Sequence, residues 1–153
     1  MRPLLYLDVD GPLNPYAAKP HRRPDGYTTH RMKPESWVAR HRYTPAHRLV
    51  WATTWGAEAN TFIAPVLGLP DLPVVEWPPG TSRERSDGPF WKTGPLVEHA
   101  RGRPFAWVDD ELGPADEDFV AARHDGPALL LRIDARLGLR EADLVALGAF
   151  AGG

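Results

Sequence analysis

The stretch that decides the fold is Leu4-Leu5-Tyr6-Leu7-Asp8-Val9-Asp10-Gly11, an apolar run that ends in two aspartates and a glycine. Because side chains alternate along a β-strand, the carboxylates of Asp8 and Asp10 project to the same side. Two neighbouring carboxylates at the end of a buried strand repel each other and lose hydration, and a divalent cation is the usual compensation. Gly11 then permits a sharp turn. This stretch therefore predicts a buried strand with acidic chemistry at its carboxyl end.

Three later segments carry complementary groups in a meaningful order. The apolar runs at 49–54 and 105–110 end in two threonines and in two aspartates, respectively. Between these runs, Trp91-Lys92-Thr93 precedes a stretch with helical character. Strand ends that deliver two acid pairs, a hydroxyl group and a lysine predict a site for a phosphate group and a magnesium ion.

The composition narrows the class of protein. The chain has 153 residues, with 18 Lys and Arg against 20 Asp and Glu, so its net charge is -2. This length predicts a single domain over residues 1–153, and the balanced charge gives no overall basic face for duplex nucleic acid. The absence of cysteine excludes disulfides and cysteine-based metal sites. No signal segment precedes the first strand and no apolar run approaches the roughly 20 residues that span a bilayer, so we expect a cytoplasmic protein with no membrane contact.

Predicted strands and helices alternate along the chain, which predicts an α/β fold. We expect a three-layer, Rossmann-like parallel sheet with helices on both faces and a site beyond the carboxyl ends of the strands. Asp116 and Asp118 fall in the first turn of a predicted helix, where the helix dipole favours acids, so we interpret them as helix charges rather than metal ligands. The predicted strands cover 4–9, 48–53, 74–77, 104–109 and 128–133, and the predicted helices cover 57–67, 93–100, 114–123 and 140–150.

Residues 12–47 are polar, basic and rich in proline, and they show no helical period. Segments 27–32 and 36–39 are compatible with two strands of a small β-hairpin flap. Only about eight residues then remain before the second core strand, so the crossover there is shortened if the hairpin is correct.

Together the ordered motifs resemble the haloacid dehalogenase-like (HAD) superfamily of phosphohydrolases. They span Asp8 to Asp110, about two thirds of the chain. Each motif alone is common, whereas the ordered set, each member at the end of an apolar run, is specific. Substrate choice in this superfamily often depends on an inserted cap domain. Here 42 residues lie between Asp10 and Thr53 and 38 between Thr53 and Lys92, which predicts a member with a flap and no large cap.

The resemblance implies a phosphatase reaction and assigns roles to five residues. Asp8 is the nucleophile that accepts the phosphoryl group of a monoester before water removes it. Asp10 is the general acid that protonates the leaving oxygen and then the base that activates water. Lys92 binds the phosphate and stabilises the charge that develops beside Asp8. Thr53 hydrogen-bonds a phosphate oxygen; Thr54 is the alternative, although Thr53 directly ends the apolar run.

The resemblance also implies a Mg²⁺ cofactor, a small hard ion that prefers oxygen ligands. Its expected ligands are Asp8, the main-chain carbonyl of Asp10, and Asp109. Asp110 is either a further ligand or an acid close to the ligands.

Two features keep other functions open. Pro12 stands where the family usually shows Thr or Val, and it stiffens the turn and removes an N–H donor. Together with the shortened crossover, Pro12 favours a non-catalytic phosphate-binding or interaction module that retains the fold. The intact residue set opposes that alternative. A dehalogenase is a third alternative, and Asp10 and Asp109 argue against it because a dehalogenase does not need them.

Four tryptophans lie close to the predicted motifs. Trp51 and Trp107 fall inside core strands and are expected to pack there. Trp55 and Trp91 flank predicted site residues, and packing is favoured over a role at the mouth of the site.

A site without a cap is accessible to large phosphorylated substrates, such as phosphoproteins, nucleic-acid ends or glycans, unless a second subunit of a homo-oligomer closes it. The segment before the second core strand is rich in basic residues, which form either a solvated surface or a collar that attracts an anionic substrate. These residues are Lys19, Arg22, Arg23, Arg31, Lys33, Arg40, Arg42 and Arg48.

Overall fold

A computed structural model describes residues 1–17, 46–83 and 87–153. Among these residues, four strands form one parallel sheet of order β2-β1-β3-β4. The strands are β1 (Leu4–Leu7), β2 (Arg48–Trp51), β3 (Phe105–Asp109) and β4 (Ala128–Arg132). The helices are α1 (Thr93–Ala100), α2 (Pro114–Arg123) and α3 (Glu141–Gly152), and a short π-helix covers Ala59–Ile63.

The sheet register places the predicted motifs at one level. Leu7 pairs with Trp51 on one side and with Val108 on the other. The residues that follow these three positions, Asp8, Ala52 and Asp109, therefore meet at the carboxyl edge of the sheet. This is the edge at which parallel α/β sheets place their sites.

Both faces of the sheet are covered, as their alternating apolar side chains require. On one face, Leu5, Leu7 and Trp51 pack with the π-helix and α3. On the other face, Tyr6 and Trp107 pack with α1 and α2. Trp51 and Trp107 are fully buried, as expected. The predicted α/β architecture, a parallel sheet with helices on both faces, is confirmed among the described residues.

Two predicted elements were wrong in type or length. The helix predicted at 57–67 is reduced to the π-helix Ala59–Ile63, which is followed by turns. The amide of Ala64 donates to the carbonyl of Ala59 at 2.9 Å, and Pro65 then has no N–H with which to continue the helix.

The strand predicted at 74–77 is a single bridge between Trp51 and Val74. The amide of Val75 still donates to the carbonyl of Trp51 at 2.9 Å. Prolines at 73, 78 and 79 flank this segment and cannot donate to a strand ladder, so pairing stops there.

The predicted hairpin flap lies outside the described residues, as do all the basic collar residues except Arg48, which is exposed at the start of β2. The single domain over 1–153 stays a prediction. Within the described ranges, no helix combines the length and the apolar character needed to cross a bilayer.

Candidate active site

Lys92 lies between two buried carboxylates that end adjacent strands. Its Nζ is 2.9 Å from Oδ2 of Asp109 and 3.4 Å from Oδ1 of Asp8. It also donates to the carbonyl of Ala52 at 3.0 Å, at the end of β2. The residue is only 2% exposed. Lys92 therefore joins the carboxyl ends of β1, β2 and β3.

Asp116 fixes the loop that delivers Lys92. It is buried in the first turn of α2, and its Oδ1 accepts hydrogen bonds of 2.6 Å from the amide of Phe90 and from the hydroxyl of Thr93. Its Oδ2 accepts one of 2.9 Å from the amide of Gly113. Asp116 thus lies in the first turn of α2, as predicted, and also anchors the start of α1. Thr93 is the first residue of α1, and its hydroxyl donates to Asp116 rather than to the amides at the start of its own helix.

The three central charges do not balance. Burial raises the pKa of Asp8 to about 8; nearby Asp109 adds to this rise, and Lys92 opposes it. Burial likewise raises the pKa of Asp109 to about 6, against the opposing effect of Lys92. Burial also disfavours the charge on Lys92, but Asp109 and Asp8 outweigh that effect, so the pKa of Lys92 is raised. One ammonium group thus faces two buried acids, and the site has a place for additional positive charge.

The donor set fits a hard divalent cation. Among the described residues, Asp8, Asp109 and Asp110 each offer a carboxylate oxygen, and these oxygens lie within 4.8 Å of one another. Carboxylate oxygens are the donors that Mg²⁺ prefers, and the excess of negative charge favours its binding. Asp110 is partly exposed, and its Oδ2 accepts a 2.7 Å hydrogen bond from the hydroxyl of Tyr16.

The carboxylate of Asp10 lies outside that group of oxygens. Its Oδ1 accepts a hydrogen bond of 2.9 Å from the side-chain amide of Asn14, and its Oδ2 accepts one of 3.1 Å from the indole of Trp55. The carboxylate of Asp10 is thus held away from the group that suits the cation, and its main-chain carbonyl remains the expected donor.

A comparison with protein families identifies the fold family. The model of the family described as the HAD domain in Swiss Army Knife RNA repair proteins matches residues 4–144. The chain belongs to this family of HAD domains. The resemblance inferred from the motifs between Asp8 and Asp110 is therefore confirmed. No curated protein and no solved structure matches the chain.

In this HAD domain the turn after Asp10 comes very close to Asp110. Gly11 has a φ of 108°, and a Cβ at this position would lie 2.8 Å from Cβ and Cγ of Asp110. Only glycine satisfies both the backbone conformation and this close approach. The carbonyl of Pro12 accepts a 2.8 Å hydrogen bond from the amide of Leu139, which ties the same turn to the chain just before α3.

The two candidate threonines of the HAD domain differ in exposure. Thr53 is fully buried, and its hydroxyl oxygen accepts a hydrogen bond of 3.2 Å from the amide of Trp55. Thr54 is exposed. Thr53 directly follows Ala52, whose carbonyl binds Lys92, so it lies at the correct edge of the sheet. Its role toward phosphate stays a prediction.

Sequence reasoning missed the groups that hold the acids in place. Asn14 and Tyr16 had no motif to reveal them, and packing was the favoured interpretation of Trp55. Trp55 does pack against the core, but its indole N–H is directed at Asp10. The available signal was the spacing of Asn14, four residues after Asp10 in a turn that Gly11 makes tight.

Proposed function

We propose that this HAD domain is a Mg²⁺-dependent phosphomonoester hydrolase that acts through an aspartyl phosphate on Asp8. The observation that supports this proposal best is the position of Asp8. It lies at the end of the central strand, with Lys92 at 3.4 Å and with Asp109 and Asp110 within a distance that one cation can bridge.

Asp8 is suited to attack phosphorus. Its Oδ1 accepts the amide of Val9 at 2.9 Å and faces Lys92, whereas Oδ2 receives no hydrogen bond among the described residues. In the first step, an oxygen of Asp8 forms a bond to phosphorus while the bond to the leaving oxygen breaks. Asp10 gives its proton to that leaving oxygen. In the second step, Asp10 takes a proton from water, which attacks phosphorus and releases phosphate from Asp8.

Positive charge in this site would attract the anionic phosphate and offset the negative charge of the carboxylates. Lys92 is held by Asp109 and by the carbonyl of Ala52, so its position is fixed before the substrate binds. Its longer contact with Asp8, 3.4 Å, is the one that a phosphate oxygen replaces as charge develops. Mg²⁺, when held by Asp8, Asp109 and Asp110, supplies the further charge that lets a dianionic phosphate approach a carboxylate. The hydrogen bonds from Asn14 and Trp55 hold the carboxyl group of Asp10 in the orientation proposed for proton transfer.

For the substrate, we propose a terminal phosphate on RNA. The support is the family itself, which is described by its occurrence in RNA repair proteins. The absence of an insertion long enough for a large cap is compatible with access by a polynucleotide end. Duplex binding is not required, so the balanced charge of the chain is no obstacle.

The experiment is a hydrolysis assay with p-nitrophenyl phosphate in Mg²⁺ and in EDTA, followed by RNA oligonucleotides with a 5′- or 3′-phosphate. We expect turnover that needs Mg²⁺ and is lost in Asp8→Asn. Asp118→Asn, at an exposed position of α2, is the matched control and should retain turnover. Mg²⁺ binding without turnover of any of these substrates would favour the non-catalytic module instead.

A further inference from the structure

We propose that a cleft beside the candidate active site binds the nucleobase of the nucleotide that carries the phosphate. This inference rests on the proposed phosphatase function and adds a subsite for the leaving group. The cleft has a volume of about 460 Å³, which lies within the range of small-molecule pockets. Its walls include Arg83, Phe90, Trp91, Glu111 and Pro114.

The cleft adjoins the proposed phosphate site through residues that neighbour Lys92 and Asp110. The Nζ of Lys92 lies 5.7 Å from the ring centroid of Trp91 and 5.4 Å from that of Phe90, and both rings line the cleft. On the metal side, Glu111 follows Asp110, and its amide donates to Oδ1 of Asp109 at 3.1 Å. A phosphate held at Lys92 therefore has its leaving group within reach of this cleft.

The chemistry of the walls suits a flat aromatic ring. The guanidinium of exposed Arg83 lies 5.1 Å from the ring centroid of Trp91 and so already rests on that ring. A base would therefore stack on the guanidinium, with Trp91 as its support. Indole and guanidinium planes are the surfaces on which proteins stack nucleobases. Ser82 and Glu111 add polar groups that can bond the edge of a base.

Trp91 is already held in position. Its ring packs edge-to-face against Trp77, with centroids 5.0 Å apart, and against Phe90, with centroids 5.5 Å apart. Asp116 fixes the amide of Phe90 at 2.6 Å. Because this ring is fixed before binding, the guanidinium of Arg83 rests on a rigid support, and less side-chain entropy is lost when a base stacks on it. The carboxylate of Glu111 argues against an acidic phosphopeptide as the occupant.

The test is isothermal titration calorimetry with Mg²⁺ present, performed on Asp8→Asn so that no ligand is consumed. The ligands are adenosine 5′-monophosphate, adenosine 3′-monophosphate, ribose 5-phosphate and a phosphotyrosine peptide. We expect at least one nucleotide to bind roughly tenfold or more tightly than ribose 5-phosphate, since base stacking on an aromatic ring has an effect of this size.

Adding Arg83→Ala or Trp91→Leu to this protein should bring the nucleotide-to-ribose affinity ratio close to one. The matched control is Arg123→Ala, because Arg123 also lies over an aromatic ring, 5.9 Å from the centroid of Phe119, but on the far end of α2. This control should leave the ratio unchanged.

Equal binding of nucleotides and ribose 5-phosphate would overturn the proposal, as would tighter binding of the phosphotyrosine peptide. Loss of the ratio in the Arg123→Ala control would also overturn it. Because these measurements use an inactive variant, they stand apart from the hydrolysis assay. A wild-type protein that hydrolyses phosphomonoesters but shows no preference for a base would refute only the subsite.

Discussion

The indole N–H of Trp55 donates a 3.1 Å hydrogen bond to Oδ2 of Asp10, across 45 residues of sequence. The side-chain amide of Asn14 donates to Oδ1, so both oxygens of the Asp10 carboxylate accept a hydrogen bond. Asp10 thus lies apart from the three carboxylates suited to the cation, as its proposed role in proton transfer requires.

We predict that Trp55→Phe lowers kcat for an alkyl phosphate by roughly tenfold, with little change in KM, because the hydrogen bond that positions the carboxyl group of Asp10 is lost. The loss should be smaller for p-nitrophenyl phosphate, whose leaving group needs little protonation. Steady-state kinetics with both substrates measure the difference. Trp107→Phe is the control, since its indole N–H bonds nothing among the described residues. Equal losses for both leaving groups in Trp55→Phe would contradict a role in directing the acid.

A substitution at Gly11 tests whether the close approach of the turn after Asp10 to Asp110 matters for Mg²⁺ binding. Gly11→Ala should weaken Mg²⁺ binding and lower activity, because its Cβ would displace the Asp110 side chain, 2.8 Å away. Gly80→Ala is the matched control. Gly80 also has a positive φ, 77°, but open space around it, so only backbone strain of about 1–2 kcal/mol is expected there. Calorimetric titration with Mg²⁺ compares the Mg²⁺ affinities of the two variants, and urea unfolding compares their free energies of unfolding. Equal Mg²⁺ affinities would show that the contact with Asp110 is irrelevant.

Removing the central ammonium group should affect both stability and catalysis. Lys92→Met leaves Asp8 and Asp109 buried without their partner, and breaking such a pair costs roughly 3–5 kcal/mol of unfolding free energy in EDTA. Activity should fall at least about a hundredfold, the scale for a lost charge-stabilising donor.

Adding Asp8→Asn to Lys92→Met should restore part of the stability, since one of the two uncompensated acids is then removed. Urea unfolding of the wild type, both single variants and the double variant gives the coupling free energy. Strict additivity of the two changes would contradict the electrostatic account of the 3.4 Å contact.

The raised pKa of Asp8 predicts how stability depends on pH and on Mg²⁺. Folding raises this pKa from 3.8 to about 8, so between these values the folded protein keeps a proton that the unfolded chain has released. Stability of the metal-free protein should therefore fall as pH rises from about 4 toward 8. Mg²⁺ competes with that proton, so its stabilising effect should grow over the same range.

Thermal unfolding at pH 5 and pH 8, with EDTA or with Mg²⁺, tests this prediction. In EDTA, Asp8→Asn should lose much of the pH dependence, because asparagine does not titrate. A wild-type Tm in EDTA that rises from pH 5 to pH 8 would contradict the assignment.

Features that depend on a local sequence pattern were predictable, whereas contacts between residues far apart in the sequence were not. Asp8 and Asp109 were predictable together because each ends an apolar run and parallel strands bring such ends to one edge. The bond from Tyr16 to Asp110 spans 94 residues and depends on the path of the turn after Asp10, which no local pattern encodes. The role of Asp116 was half predicted, since its helix position is local and its bonds to Phe90 and Thr93 are not.

The errors in the predicted helix at 57–67 and the predicted strand at 74–77 have a local cause, which is proline. The apolar spacing at 57–67 does resemble a helix, but Pro65 removes a donor where a further turn would need one. The prolines beside 74–77 act in the same way on a strand. In both places several apolar residues, among them Ile63, Leu67 and Val75, still reach the core, although Phe62 is exposed.

The central claim is that Asp8 carries the phosphoryl group, and chemical trapping tests it most directly. The protein is mixed with phosphomonoester and Mg²⁺, quenched, reduced with borohydride and mapped by mass spectrometry, so that an acyl phosphate appears as homoserine. We predict homoserine at position 8, dependent on substrate and on Mg²⁺, and none at position 10. Turnover with no modification at position 8, or turnover that survives in Asp8→Asn, would contradict the account.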